Sequence, residues 1–228
     1  CSGLPCGTGM EGQGETHKNG GKDNDCPIEQ EMVEVVSYIF PFEYDVYKEA
    51  GAKVEFVGHP LVDIVKPTMT INEANAFAGK KEGRKLILLM PGSRLMEIEK
   101  MLPTLLEAAK IIQKQLPEVD FVMPRAGTIP LNLLEEKIQA SGLDVRITED
   151  HNYDLFSVAD LALATSGTVT LEAALCGLGS VIVYRTNPLT YMIAKLVVNI
   201  PHIGLPNIVA GRSVVPELIQ NDFTPAKV

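Results

Sequence analysis

An α/β protein built on a doubly wound, Rossmann-like parallel sheet is the fold class this sequence predicts, and three features point there. Short, continuous apolar runs recur along most of its 228 residues. Runs of that length, bounded by Gly or Pro, suit parallel strands covered on both faces. Between them lie amphipathic stretches with helical spacing, and the turns that join the two are short and rich in Gly, Ser and Thr.

Taken in order, the strand candidates are residues 36–40, 53–57, 85–90, 120–123, 144–147, 160–164 and 180–184. The clearest helix follows the third. Ile98, Leu102, Leu105, Ala109, Ile112 and Leu116 recur every three or four residues and so share one face. Pro103 is expected to break that pattern, with a short turn before it and the main helix after it. Pro130 suits the first position of a helix carrying Leu131, Leu134 and Ile138. Ser166-Gly167-Thr168 leads straight from strand into helix, and Leu205 to Gly211 reads as an apolar loop. Gly58-His59-Pro60 closes one strand–helix unit, and the polar stretch 68–84 holds at most one short helix before a new series opens. No repeat of 20–50 residues is visible.

Composition separates a leader from a body. Residues 1–30 hold seven of the 19 glycines and three of the four cysteines but only six apolar residues. Such a segment buries too little to offset its ordering entropy, and without an apolar run after basic residues it is not a secretory signal. Cys1, Cys6, His17 and Cys26 lack the close pairing of zinc ligands, so no metal is expected. Cys176 alone remains in the body, which fits a reducing compartment. No apolar run reaches the length of a membrane span; residues 190–200 come nearest, interrupted by Lys195. With 20 Lys and Arg against 29 Asp and Glu, a net charge of −9, nucleic acid is excluded as a partner, though one local phosphate site is not.

Ligands of open α/β sheets bind beyond the carboxyl ends of the strands. Two loops qualify. Met90-Pro91-Gly92-Ser93-Arg94 offers close backbone approach at Gly92, a hydroxyl at Ser93 and a fixed cation at Arg94 for a diphosphate. Its structural alternative is a turn in which Arg94 pairs with Glu97 or Glu99. Ser166-Gly167-Thr168 opens a helix whose free amides and dipole favour anions, the alternative being a plain N-cap. Glu172, one helical turn beyond Thr168, is placed to accept from sugar hydroxyls. Arg185 ends a strand at the same edge, as ligand contact or solvated cap, and Asn207 either satisfies its own backbone or reads a substrate. His59 reads as a turn-stabilising residue and Asp150-His151 as a solvated pair. Neither Gly-x-Gly-x-x-Gly nor a P-loop is present, which removes the usual support for NAD binding and ATP hydrolysis.

Several segments then occur in a telling order: Phe40-Pro41-Phe42-Glu43, Phe56-Val57-Gly58-His59-Pro60-Leu61, Leu89 to Arg94, Ser166 to Glu172, Val183-Tyr184-Arg185, and Leu205-Pro206-Asn207-Ile208-Val209-Ala210-Gly211. Over about residues 33–228 the chain resembles the C-terminal half of the lipid-A-disaccharide synthase family. The resemblance implies a GT-B glycosyltransferase that transfers from UDP-2,3-diacylglucosamine to 2,3-diacylglucosamine 1-phosphate (lipid X), with inversion and release of UDP, in lipid A synthesis. It also implies work at the cytoplasmic face of the inner membrane as a peripheral protein, with no cofactor and no metal; a homodimer is compatible with it. By the same resemblance Arg94 stabilises the diphosphate leaving group together with the Ser166-Gly167-Thr168 helix start, Glu172 holds the ribose and Asn207 lies near the donor; Gly92, Ser93 and Arg185 are expected as binding residues on their own chemistry.

The departures are as informative. Residues 1–32 match nothing in the family, 33–64 look like the tail of its N-terminal domain, and 65–228 like its nucleotide-sugar-binding domain without the last helices, one of which Thr224-Pro225 would begin. The acceptor site and general base of the family are expected in the N-terminal domain, so this stretch by itself is expected to bind UDP with negligible turnover. Two other readings use the same residues: an enzyme like UDP-N-acetylglucosamine 2-epimerase, which needs acid/base groups that only His59 and His202 hint at, and a non-catalytic UDP-sugar-binding module. Leu189, Met192, Ile193, Leu196 and Val197 form an apolar set, read as core rather than membrane contact.

Overall fold

The computed structural model describes residues 35–41, 43–187, 191 and 201–228. The expected leader with its Cys1, Cys6, His17 and Cys26, and the apolar set from Leu189 to Val197, lie outside the described residues. The chain divides between Val57 and Gly58 into two compact units.

In the first unit, β1 (Val36–Tyr38), α1 (Glu43–Glu49) and β2 (Val54–Phe56) form a strand–helix–strand in which β1 and β2 pair in parallel. Both strands are shorter than expected. In β1 the cause is Glu43, whose carboxylate accepts the amides of Ile39 at 3.1 Å and Phe40 at 2.9 Å and turns the chain into α1. The rings of Tyr38 and Phe56, opposite each other in the ladder, stand 5.2 Å apart.

The second unit carries the sheet. Its elements are α2 (Leu61–Ile64), α3 (Ile71–Ala78), β3 (Lys85–Met90), α4 (Leu95–Gln115), β4 (Val119–Pro124), α5 (Leu131–Ser141), β5 (Val145–Thr148), α6 (Asn152–Val158), β6 (Leu161–Thr165), α7 (Thr168–Leu175), β7 (Ser180–Tyr184), α8 (Leu205–Ala210) and β8 (Glu217–Ile219). The six strands lie in the order β5-β4-β3-β6-β7-β8, every neighbouring pair parallel. The doubly wound parallel sheet expected from the sequence is present.

Strand β3 shows why its apolar run is unbroken. Side chains alternate across a strand, so Leu86, Leu88 and Met90 pack against one layer, with Ala74, Leu155 and Phe156, while Ile87 and Leu89 pack against the other, with Ile98, Leu102 and Phe121. Each fully buried Leu or Ile contributes about 1.5–3 kcal/mol, and no position of β3 beyond Lys85 is left to water. The chain first winds outward through α4 and α5 and then returns through α6 and α7. Right-handed crossovers taken in opposite directions place those two helix pairs on opposite faces, which is where the two apolar clusters hold them.

Helix α4 runs unbroken through Pro103, contrary to the expected break. Pro103 lies on the exposed side, while Ile98, Met101, Leu102 and Leu105 are buried on both sides of it. Burial of that stripe outweighs the roughly 3 kcal/mol that an interior proline costs. Pro130 stands at the N-cap, one residue before the helix, and not at its first position. The stretch expected as an apolar loop is helix α8, and β8 is an edge strand that the sequence pattern did not announce. Thr224 begins a turn, closed by bonds from the amides of Lys227 and Val228 to its carbonyl, where a helix start was expected.

Two aspartates fix the frame. Asp154, 2 % exposed in α6, accepts from the amides of Thr68 at 2.6 Å and Met69 at 2.7 Å, and from the Thr68 hydroxyl, pinning the entry segment to the sheet layer. Asp160 accepts from the Leu86 amide and pairs with Lys80 and Lys85, all at 2.9 Å. Among the described residues no helix is long and apolar enough to cross a membrane.

Candidate functional site

The strand order reverses between β3 and β6: the chain leaves β3 toward β4 and β5, then comes back to β6 on the other side. Loops leaving the carboxyl ends of these two strands diverge and open a crevice, the place where such sheets bind ligands. A cleft of about 480 Å³ occupies it, within the range of small-molecule sites. From β3 it is lined by Met90, Gly92, Ser93 and Arg94, from β4 by Pro124, Arg125 and Ala126, and from β6 and α7 by residues 165–169 and Glu172. Both loops singled out in the sequence meet here.

The β3 loop is held by Glu97 in the first turn of α4. Its carboxylate accepts the amides of Ser93 at 2.8 Å and Arg94 at 3.2 Å, and pairs with the Arg94 guanidinium at 2.9 Å. Gly92 is required twice over: its φ is +118°, and a Cβ there would lie 2.4 Å from the Glu97 carboxylate. The Arg94 side chain is 81 % exposed. The structural alternative foreseen for it, pairing with Glu97, is therefore realised, but such a pair is worth at most about 1 kcal/mol and yields readily to a phosphate.

The β6 loop offers backbone. The amides of Gly167, Thr168 and Val169 have no partner among the described residues, as expected for the first turn of α7. The Ser166 hydroxyl, however, donates to the Ile203 carbonyl at 2.9 Å, and its amide to the Val183 carbonyl. Glu172 lies half-buried on the cleft wall with no hydrogen-bond or ion-pair partner among the described residues. Burial pushes its carboxyl above the usual range. Burial, and then the Glu172 charge, also raise the Tyr153 phenol and the Cys176 thiol.

Arg125 is a charged lining residue that the sequence pattern did not single out, and Asn152 a polar one. Only 13 % exposed, Arg125 is bound by Glu149 and by the Ile129 carbonyl. It follows β4 much as Arg94 follows β3, so the rule that selected the first loop would have selected it too.

Two expected substrate-binding residues do not line the cleft. Arg185 donates to the Thr104 hydroxyl at 3.2 Å and to the Phe223 carbonyl, its guanidinium 4.9 Å from the Phe223 ring centroid. Asn207 is completely buried; its amide donates to the Val215 carbonyl and Glu217, and its oxygen accepts from Val214 and Val215. Both are engaged by the C-terminal stretch, Arg185 by Phe223 and Asn207 by Val214, Val215 and Glu217. His59 does stabilise a turn, its Nδ1 accepting the Leu61 amide at 3.1 Å. His151 is not simply solvated: it stands before α6 with φ +52°, its Nδ1 3.3 Å from Asp154 Oδ2. Among the described residues no three His, Cys, Asp or Glu side chains are grouped to hold a metal ion.

The family model described as lipid-A-disaccharide synthetase matches residues 26–228, taking in the last residues of the stretch set apart as a leader. A lipid-A-disaccharide synthase of Geobacter sulfurreducens is 45 % identical over 197 residues, covering 86 % of this chain and 51 % of the relative. One from Neisseria meningitidis is 38 % identical over 200 residues, covering 86 % and 52 %. The chain thus spans about half the length of the curated relatives it matches. A crystal structure of a glycosyltransferase from Rickettsia africae superposes with a TM-score of 0.53 at 13 % identity, over 85 % of this chain and 51 % of that one, a likeness of fold alone.

Proposed function

The chain belongs to the lipid-A-disaccharide synthetase family, and on that premise we propose that the β3–β6 cleft is the UDP-sugar site of a glycosyltransferase of lipid A synthesis. The observation that carries this is the convergence, in one crevice, of an exposed Arg94, the amides at the start of α7 and the Glu172 carboxylate one turn further on, the last two without a partner among the described residues.

In this reading the donor diphosphate lies across Gly92, Ser93 and the 167–169 amides, with Arg94 exchanging Glu97 for phosphate oxygens. Negative charge grows on the diphosphate as the sugar–oxygen bond breaks, and a guanidinium and a helix start meet it without a resident metal or cofactor. Glu172, already short of water, accepts from the ribose hydroxyls. The donor is UDP-2,3-diacylglucosamine, the acceptor 2,3-diacylglucosamine 1-phosphate, and the anomeric carbon inverts. The base that deprotonates the acceptor belongs to the half of the relatives that this chain does not match, so residues 1–228 alone bind UDP with negligible turnover. The acylated substrates call for peripheral contact with a membrane, and the family resemblance assigns that contact to the inner face of the inner membrane.

Titration calorimetry of the chain with UDP tests the site. Replacing Arg94 with Ala is expected to weaken binding by about tenfold to a hundredfold, the loss of one charge-assisted contact. Equal affinity of the two proteins would remove Arg94 from the site, and no binding by the unaltered chain would remove the cleft.

A further inference from the structure

We propose that Glu217, on the edge strand β8, is a positioning residue that sets the amide-bearing turn of the cleft from behind. Its side chain is 9 % exposed. One carboxylate oxygen accepts the amide of Ile203 at 3.0 Å; the other accepts the amide of Gly204 at 3.0 Å and the Asn207 side-chain amide at 2.6 Å. The Ile203 peptide so fixed presents its carbonyl to the Ser166 hydroxyl, the first residue of the 166–168 turn. The segment has little freedom to shift, since a Cβ on Gly204 would fall 2.2 Å from the Ile182 Cδ1. Glu217, Ile203 and Ser166 thus form a relay from the sheet edge to the turn that lines the cleft.

The relay recasts two residues. Ser166 has both of its donors committed within the chain, so its contribution is the setting of the turn and not a bond to ligand. Asn207 is a brace on the same carboxylate. The backbone and Asn207 groups facing the Glu217 carboxylate are all N–H donors, with the His202 ring Nδ1 also 3.8 Å from one of its oxygens, so a glutamine there turns an NH₂ toward at least one backbone N–H whichever way its amide lies. This inference rests on the nucleotide reading of the cleft only for its ligand readout.

Hydrogen exchange of amides 170 and 171, which close the first turn of α7, and titration with UDP and with uridine, each on the unaltered chain, Glu217→Gln, Ser166→Ala and the double variant, decide it. Faster exchange at 170 and 171 is expected in both single variants. UDP affinity should fall about tenfold in each and no further in the double, while uridine, lacking phosphate, binds within about twofold of normal. Unchanged exchange at 170 and 171 in a folded Glu217→Gln, or additive losses in the double variant, would overturn the relay. Should Glu217→Gln fail to fold, Ser166→Ala alone decides, unchanged exchange and UDP affinity counting against it. Failure of the unaltered chain to bind either ligand would instead count against the nucleotide site, and the exchange result would still judge Glu217.

Discussion

At Glu172 a carboxylate sits half out of water with no partner among the described residues, an arrangement that costs the fold something. Its pKa in the fold lies above the ordinary 4.5, so the folded state favours the protonated acid, and stability falls as pH rises through 4.5 toward the raised value. Glu172→Gln removes that penalty. At pH 7 the variant should melt at a higher temperature than the parent, the difference vanishing below about pH 4, while its UDP affinity drops roughly tenfold; a thermal-shift series across pH with parallel calorimetry measures both. A lower melting point at pH 7 would mean that the carboxylate has a stabilising partner. That Arg94 and Glu172 line one cleft was legible in the sequence because topology puts the ends of β3 and β6 together. The bonds that hold Arg185 and Asn207 away from its lining were not, because a polar residue near a strand end can face a cleft or a carbonyl equally well, and only the three-dimensional neighbours, Phe223 and Val215, show which carbonyls they meet.

Elements differ in legibility for a similar reason. Strands β3, β6 and β7 stand inside the sheet, and burial on both faces leaves a continuous apolar run as its trace. Strand β8 has three half-buried residues at an edge, and α8 begins with Pro206 near its start, so neither period rises above its surroundings. Pro103 misled in the opposite sense: a local breaker inside a helix whose buried stripe is strong enough to override it. That makes a prediction about α4. Replacing this exposed proline with Ala restores an interior helical bond at the cost of a freer unfolded chain, terms of about 3 and about 1 kcal/mol. A net gain of roughly 1–2 kcal/mol is expected in urea unfolding. A loss would show that the helix bends at Pro103 in a way the packing needs.

For the whole molecule, acid is the natural stress. Asp160 is held at about 2: burial would raise it, but the Leu86 amide and the Lys80 and Lys85 ammonium groups prevail. Its unfolded value is near 3.8. The stability it contributes is therefore complete above pH 4 and lost as pH falls from about 4 to 2. After allowance for solvent screening this amounts to on the order of 1 kcal/mol. Asp160→Asn should flatten the stability profile over that window when unfolding is followed by circular dichroism; an unchanged slope would assign the acid transition elsewhere. Asp154 is shifted in the same direction, its bonds from Met69 and Thr68 outweighing burial, and adds to the same loss. The strand order has a mechanical side as well. Strands β5-β4-β3 and β6-β7-β8 are joined through a single ladder, β3 on β6, four residue pairs long. The cleft straddles the end of that seam, with one wall on each half-sheet. A molecule gripped by both walls would work as a staple across the seam, adding to the core that Leu163 and Val183 already share with Leu89 and Leu102.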